Sequence, residues 1–522
     1  IVMLYDTQNG LKTQITDGWY TSGSANFSKD GKHLLFVSNR TFNPTYSSTE
    51  WNHAYTNMSK IYVLPLTKDA IIPFAPKNDT VVPSKIPAIP AKAPEKVDKK
   101  TNNEYDLENI PSRIVELPVS PSFYGNIHMI DNRVYYGSRR GTFMYDIDAK
   151  TETNLQANIV FGHGYKKALA ISGRNMQVVD IPRAPVTISK PIVLSGVRKL
   201  VDYKEEWMQI YDETWRQMRD FFYAKNMHGV DWDAVRDRYR VLVPHVAHRS
   251  DLTYVIGEMI GELNVGHAYS QNGEKPEPAR VKMGLLGIRY SKDKSGFFRV
   301  DKVLGGANWN SKLRSPLTMP GSEVKEGEFI LSVNGRSTKE VKDFAELMVG
   351  TAETIVELQV NNVATTKGAR KLLAEPIADE SQLIYYNWVQ DNIAKVNQAT
   401  NGEVGYIHIP DMGVDGLNEF VKHYYPQLGK KALIIDDRGN GGGNVSPMII
   451  ERLQRTITYF TMHTNQQEGS LNPVGTFDGP KVLLVNEYSA SDGDLFPYRF
   501  KYNNLGTVIG RRSWGGVVGY SG

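Results

Sequence analysis

The sequence predicts a multidomain chain in which repeated antiparallel β units give way to a helical segment, a compact β domain and a C-terminal α/β unit. Three observations carry this reading. Strand–turn–strand patterns recur at a spacing of roughly 40 residues in the first third, apolar residues recur every three to four positions from Glu205, and from Gly405 short apolar strands alternate with helical stretches. At 522 residues the chain exceeds what one core supports, which implies about three or four domains. With 40% hydrophobic and 23% charged residues it reads as globular throughout, and a net charge of +4 is too small for this length to argue for nucleic acid.

The first β unit is Phe27 to Arg40, a strand, an Asp30-Gly31 turn and a second strand, followed by the outer strand Lys60 to Leu64. It has the form of one β-propeller blade. Weaker echoes follow at Tyr124–Ile127, Arg133–Tyr136 and Thr142–Ile147, and again from Ala168 to Asp180. These are too few blades to close a ring, and Ile1 already looks like part of a strand, so the chain is expected to lack its true N-terminus. Between the first two units, Pro73 to Lys100 is rich in Pro, Lys, Ala and Asp without amphipathic period, and is expected to be a mobile, solvated insertion.

From Glu205, Trp207, Tyr211, Trp215, Met218 and Phe222 mark a helix. Asp231 to Leu242 predicts a second, and Ser250 is expected to cap a third that carries Leu252, Val255, Ile256, Met259 and Leu263. Asn264-Val265-Gly266 stops that helix and delivers His267. Gly284–Ile288, Phe298–Val300, Val324–Gly335 and an expected helix with Phe344, Leu347 and Met348 resemble a PDZ domain. In that resemblance the loop Gly284, Leu285, Leu286 and Gly287 receives a peptide terminus, although a spacer that binds nothing fits the same pattern. Finally, strands at Gly405–Ile409, Ala432–Asp436 and Val482–Asn486 alternate with helices near Gly416–Tyr425 and Ser446–Arg455, so ligands are expected outside the strand ends. The resulting division is a blade at 1–65, an insertion at 66–111, further blades at 112–182, a helical subdomain at 183–278, a PDZ-like domain at 279–365 and a C-terminally incomplete α/β core at 366–522.

Two strand ends in the core carry chemistry. After Lys481–Glu487 comes Tyr488-Ser489-Ala490-Ser491-Asp492-Gly493-Asp494, small residues entering a helix start. A hydroxyl there sits beside unpaired N–H groups and the positive end of the helix dipole, which suits a nucleophile and a developing oxyanion. Upstream, Asp436-Asp437-Arg438-Gly439-Asn440-Gly441-Gly442-Gly443 is a second strand end with a Gly-rich turn. Taken alone, the serine motif is also an ordinary helix cap.

The order of helical segment, PDZ-like domain and α/β unit, with these motifs and Asn264–Tyr269, resembles the tricorn-like branch of the C-terminal-processing serine peptidases. The resemblance implies a crotonase-like α/β peptidase core in which Ser491 is the nucleophile and His267 the general base. The oxyanion hole is then the Asp492 N–H with an N–H of Gly442 or Gly443. The sister branch uses a lysine base, and the corresponding neighbourhood here is Arg511-Arg512-Ser513-Trp514, which holds only guanidinium groups that do not deprotonate. Two departures stand out. Gly266 occupies the place of an orienting serine, and the chain ends at Gly522 before the region where the branch supplies a glutamate. Asp436 and Asp437 are expected to cap or to pair with Arg438, and Asp494 to favour the helix N-terminus. His245, His248, His408 and His423 are expected to be structural, and no metal or cofactor is expected.

The expected activity is hydrolysis of unfolded or short peptides, with the propeller and PDZ-like domains controlling access. An inert peptide-binding scaffold and a crotonase-like acyl-transfer enzyme are the alternatives. Zero cysteines exclude disulfides, thiolate catalysis and cysteine zinc sites. No apolar run is long enough to span a bilayer. The resemblance implies a large homo-oligomer such as a hexamer. A cytoplasmic location is expected, and an exported one is equally compatible with the absence of cysteine.

Overall fold

The computed structural model describes residues 1–47, 53–75, 105–271, 273–275, 277–465, 467 and 469–519. The chain divides into two compact units, Ile1–Leu200 and Val201–Gly522. Most of the expected Pro- and Lys-rich insertion, residues 76–104, lies outside the described residues.

The first unit is antiparallel β structure of propeller type. One four-stranded sheet runs Ser22–Phe27, His33–Ser38, Lys60–Pro65, Val115–Glu116, and the next is built from consecutive hairpins of Tyr124–Ile130, Arg133–Ser138, Gly141–Asp146 and Thr151–Asn154. A three-stranded sheet of Asn158–Phe161, Lys167–Ser172 and Asn175–Asp180 follows. Alternation along the strands buries Leu35, Ile61, Val63, Val134 and Tyr136 in one core. The first blade does not finish at residue 65 as expected. Its outer strand is Val115–Glu116, supplied from beyond the insertion, because Tyr62 and Val63 still have free ladder groups that Glu116 and Val115 pair.

In the second unit the helices Tyr203–Phe221, Trp232–Arg240 and Arg249–Gly261 pack around Tyr211, Trp215, Leu252 and Met259. Each indole N–H of Trp215 and Trp232 donates to the other residue's carbonyl, at 2.9 and 3.1 Å, so two buried polar groups satisfy each other. The third helix is capped by His248 rather than by Ser250. The His248 ring Nδ1 accepts the Ser250 N–H, and Asp251 closes the reciprocal bond to the His248 N–H.

The small β domain orders its strands as Ile288–Lys292, Phe298–Val303, Phe329–Val333, Val356–Asn361 and Arg370–Ala374. The last strand extends the domain beyond the expected edge at 365, because Leu372 and Ala374 complete its core. The expected helix at Phe344–Met348 is only a 3-10 turn, Phe344–Leu347, which starts at the Asp343 cap and, with Met348 after it, buries Phe344 and Met348 and packs Leu347 partly against the same core.

The core is a parallel sheet in the order Val404–His408, Ala432–Asp436, Lys481–Val485, Gly506–Gly510. The helices Ser381–Ala399, Val414–Tyr424, Ser446–Leu453 and Asp492–Tyr502 accompany it. Ile407, Ile435, Leu483, Phe496 and Phe500 are fully buried. Because every neighbouring pair is parallel, the loops after His408, Asp436 and Val485 all emerge at one edge of the sheet. Phe496→Ala is expected to lower stability by about 3–5 kcal/mol, measured by urea unfolding.

Candidate active site

Ser491 stands at the junction between the Lys481–Val485 strand loop and the Asp492–Tyr502 helix. The turn before it is held from below. Asn486 Oδ1 accepts the N–H groups of Gly439 and Tyr488, Ser489 Oγ donates to the Asp437 carbonyl at 2.7 Å, and the Ala490 N–H donates to the Asn440 carbonyl at 2.8 Å. The resulting bend places Ser491 at φ 59°, ψ −119°. A non-glycine residue in such a conformation costs about 1–3 kcal/mol, offset by the bonds around it. Its Oγ lies 2.9 Å from His267 Nε2, across 224 residues of chain.

His267 follows the Arg249–Gly261 helix through a turn in which Asn264 adopts φ 51°. The segment 514–519 then fixes it. The His267 N–H donates to the Val518 carbonyl at 3.2 Å, and Gly519 forms a parallel bridge with it. Gly266 is what permits this approach, since a Cβ there would lie 2.8 Å from the Gly516 Cα. The backbone of 514–519 therefore fills the space where the expected serine side chain would begin. His267 Nδ1 is buried and has no hydrogen-bond partner among the described residues.

The two candidate glycines of the oxyanion hole differ in what their N–H groups do. Gly442 donates to Asn440 Oδ1 at 2.9 Å, whereas the N–H groups of Gly443 and Asp492 have no protein acceptor among the described residues. Gly442 has φ +95° and presses on the nucleophile. A Cβ on it would sit 2.5 Å from Ser491 Cβ. Gly442 thus provides clearance, and Gly443 is the one of the two whose N–H has no acceptor among the described residues.

The acidic residues divide the supporting work. Asp494 does more than favour a helix terminus. Its Oδ2 accepts the N–H groups of Ser491 at 2.8 Å and Gly516 at 3.1 Å, and its Oδ1 accepts that of Gly515 at 2.7 Å. The Asp492 carboxylate turns away and accepts the N–H and hydroxyl of Ser446, tying the serine turn to the Ser446–Leu453 helix. Asp436 pairs with Arg438, as expected, and accepts Tyr406 OH at 2.6 Å. Burial alone would raise its pKa, but these donors outweigh burial and hold it below the ordinary value.

Asp437 departs from the expectation, since its carboxyl neither caps nor pairs with Arg438. It is fully buried and has no hydrogen-bond partner among the described residues. Ser489 and Asn440 lie beside it but direct their own donors at backbone carbonyls, of Asp437 and Ile409. Burial pushes its pKa well above the ordinary carboxylate range, and the nearby charges of Asp436 and Asp494 add to the rise. Asn440, which carried no signal beyond its place in a Gly-rich turn, proves central. It is buried and links the Ile409, Gly442 and Ala490 backbones.

The PDZ-like loop does not present four free donors. Gly284 donates to the Met348 carbonyl at 2.9 Å, just after the Phe344–Leu347 turn, and Leu285 donates to that of Ile377 at 2.8 Å, on the chain leaving the domain. Leu286 is buried, and only the N–H groups of Leu286 and Gly287 remain without a protein acceptor among the described residues. A groove of about 330 Å³ between this loop, Tyr290 and Phe344 remains open. His408 is buried between Tyr385 OH and the Arg438 carbonyl, and burial lowers its pKa. His423 is buried against the Glu419 carbonyl, and its pKa is lowered in the same way. Arg511 reaches Glu487 at 2.9 Å. Among the described residues no helix is long and apolar enough to cross a membrane.

Comparison with known proteins gives the same order of domains. Family models match for the tricorn protease second β-propeller domain at 1–161, the tricorn protease C1 domain at 203–261, the tricorn protease PDZ domain at 284–379 and peptidase family S41 at 403–522. Tricorn protease homolog 1 of Streptomyces coelicolor is 32% identical over 94% of the chain and 48% of its own length. The tricorn protease of Thermoplasma volcanium is 28% identical over 100% of the chain and 50% of its own length. The crystal structure of a tricorn protease superposes with a TM-score of 0.80 at 26% identity, over 99% of this chain and 50% of that one. The chain spans about half the length of the relatives it matches.

The buried Asp437 gives a pH-dependent prediction. Between the ordinary aspartate pKa of about 3.9 and the raised value in the fold, the native chain holds a proton that the unfolded chain has lost. Stability therefore falls as pH rises through that window. Asp437→Asn removes the ionisation, so its melting temperature should exceed that of the parent near neutral pH, with the difference shrinking as the pH approaches about 4. Thermal melts across this range measure it, and a difference independent of pH would contradict the assignment.

Proposed function

The chain belongs to the tricorn-like branch of peptidase family S41, and we propose that it hydrolyses peptide bonds with Ser491 as nucleophile and His267 as general base. The observation that carries this reading is the 2.9 Å contact between His267 Nε2 and Ser491 Oγ. It is made at a helix N-terminus, beside the N–H of Asp492, which has no protein acceptor among the described residues.

In this reading Nε2 takes the hydroxyl proton as Oγ attacks the scissile carbonyl, then returns it to the departing amine. Charge developing on the carbonyl oxygen is received by the N–H groups of Asp492 and Gly443, reinforced by the dipole of the Asp492–Tyr502 helix. The Gly442 N–H is assigned to holding the turn through Asn440. Asp494 keeps the nucleophile and the 514–519 segment in register with the base. Substrates are unfolded or short peptides, because an extended chain can lie across the edge where the three loops emerge.

A second reading, an inert peptide-binding scaffold, is favoured by one observation. When Nε2 accepts the serine proton, Nδ1 carries a hydrogen, and this buried donor has no acceptor among the described residues. A buried unsatisfied donor costs about 1–3 kcal/mol. A fluorophosphonate probe separates the readings. Labelling of Ser491 together with cleavage of denatured casein supports the peptidase, while binding of casein without turnover or labelling supports the scaffold.

Ser491→Ala and His267→Ala are each expected to lower casein cleavage by at least about 1,000-fold, and cleavage that survives Ser491→Ala would sink the proposal. Gly266→Ser is expected to impair rather than improve the site. Its Cβ has no room against Gly516, so the 514–519 segment must move and the His267 backbone loses its anchor. The expected loss in kcat/KM is on the order of 10- to 100-fold; activity equal to or above that of the parent would refute this account of the glycine.

A further inference from the structure

A cavity of about 940 Å³ lies wholly within the second unit, between the loop at Ala307–Leu313, the helix Ser381–Ala399 and the segment Pro410–Lys422. It is separate from the Ser491–His267 pair and from the groove of the PDZ-like domain. Its walls carry aromatic faces from Trp309 and Tyr386 and side-chain amides from Asn310, Gln390 and Asn418. Trp309 is 89% exposed, a large apolar surface held in water. The stretches flanking it are pinned. Gly305 and Asn387 exchange hydrogen bonds at 2.9 and 2.8 Å, and Asn308 Nδ2 donates to the Thr318 carbonyl while its Oδ1 accepts the Ser315 N–H. An exposed aromatic on an anchored loop binds with little loss of conformational entropy.

The floor of this cleft is continuous with the Gly-rich turn. Pro410 and Asp411 line it, and the next residue, Met412, donates its N–H to the Gly442 carbonyl at 2.8 Å and accepts those of Asn444 and Val445 at 2.7 and 3.0 Å. Asp411 Oδ1 fixes the corner by accepting the N–H groups of Gly413 and Gly416. The sheet order places three loops side by side at one edge, with Ser491 after the Lys481–Val485 strand, the Gly-rich turn after Ala432–Asp436 and the cleft floor after Val404–His408.

We propose that this cleft holds a segment of an extended peptide substrate remote from the bond being cut, an assignment that rests on the peptidase reading. A chain whose carbonyl lies between Ser491 and Gly443, and which continues along the sheet edge, meets Pro410 and Asp411 next. The lining suits such a ligand. Side-chain amides present both a donor and an acceptor to peptide groups, and the aromatic faces take apolar side chains without demanding one sequence. The volume is near the upper end of the roughly 300–1,000 Å³ seen for ligand pockets, which fits several residues of chain better than one side chain. The charges within it nearly balance, with Lys422 paired to Glu419 at 3.1 Å, so recognition is of peptide backbone and bulk rather than of net charge.

The test uses the full-length protein with Trp309→Ala and Tyr386→Ala, comparing denatured casein with a short peptide anilide that spans only the reacting bond. The ratio of KM for casein to KM for the anilide is expected to rise about tenfold in each variant, with kcat on casein retained. An unchanged ratio, or an equal change in both substrates, overturns the assignment. Binding of fluorescein-labelled casein to Ser491→Ala, alone and combined with Trp309→Ala, separates the two levels of inference. If Ser491→Ala still cleaves, the peptidase reading fails. If it is inactive but binds casein equally with and without Trp309, only the cleft assignment fails.

Discussion

The Asp494 carboxylate receives the backbone N–H of Ser491 on one side and those of Gly515 and Gly516 on the other. From Gly516 the chain runs directly to Val518, whose carbonyl anchors the His267 backbone. Nucleophile and base come from segments far apart in sequence, and this one side chain links their backbones in addition to the direct His267 Nε2–Ser491 Oγ contact. Charge-assisted bonds to a carboxylate are roughly twice as strong as neutral ones. They also stabilise the left-handed bend at Ser491, which no isolated turn of Ser and Ala would adopt.

The Gly-rich turn is held by a second, neutral network. Asn440 bonds Ile409, Gly442 and Ala490, and the Asp437 carbonyl receives both Asn440 and Ser489. The Asp437 carboxyl lies within this network without a partner among the described residues, and burial together with the nearby charges of Asp436 and Asp494 raises its pKa. A buried acid of this kind lowers stability as pH rises, so it is a weakness of the fold located directly under the site. Met412 then extends the network from the turn to the cleft floor. The candidate site is thus a row of three loop bases bonded to one another, with glycine used where the backbones touch.

Much of this was legible in the residues themselves. The Ser-Asp-Gly-Asp and Gly-rich motifs are placed at strand ends because apolar runs such as Val482–Val485 and Ala432–Ile435 are short, rich in Val and Ile, and followed by small or glycine-rich turns, which favours buried strands over helices. His267 is marked by the helix stop before it together with its match to the family position. What the residues could not disclose were partnerships set by register. The first blade takes its last strand from beyond an insertion, Arg370–Ala374 joins a domain expected to end before it, and His248 caps the helix for which Ser250 is the expected cap. The PDZ-like loop reads as a set of open donors, yet Ile377 and Met348 occupy two of them.

Local pattern and motif chemistry determined the kinds of domain and their order, since these depend on periodicity and residue type along short windows, while Ser491 and His267 were paired only by the family resemblance those motifs carry. The tertiary structure alone decided which glycine keeps a free N–H, why position 266 carries no side chain, and that Asp494 binds the nucleophile to the segment behind the base. The physical reason is common to all three. Each is a question of which backbone group lies within about 3 Å of which other, and that distance is set by the packing of segments hundreds of residues apart rather than by the residues that flank them.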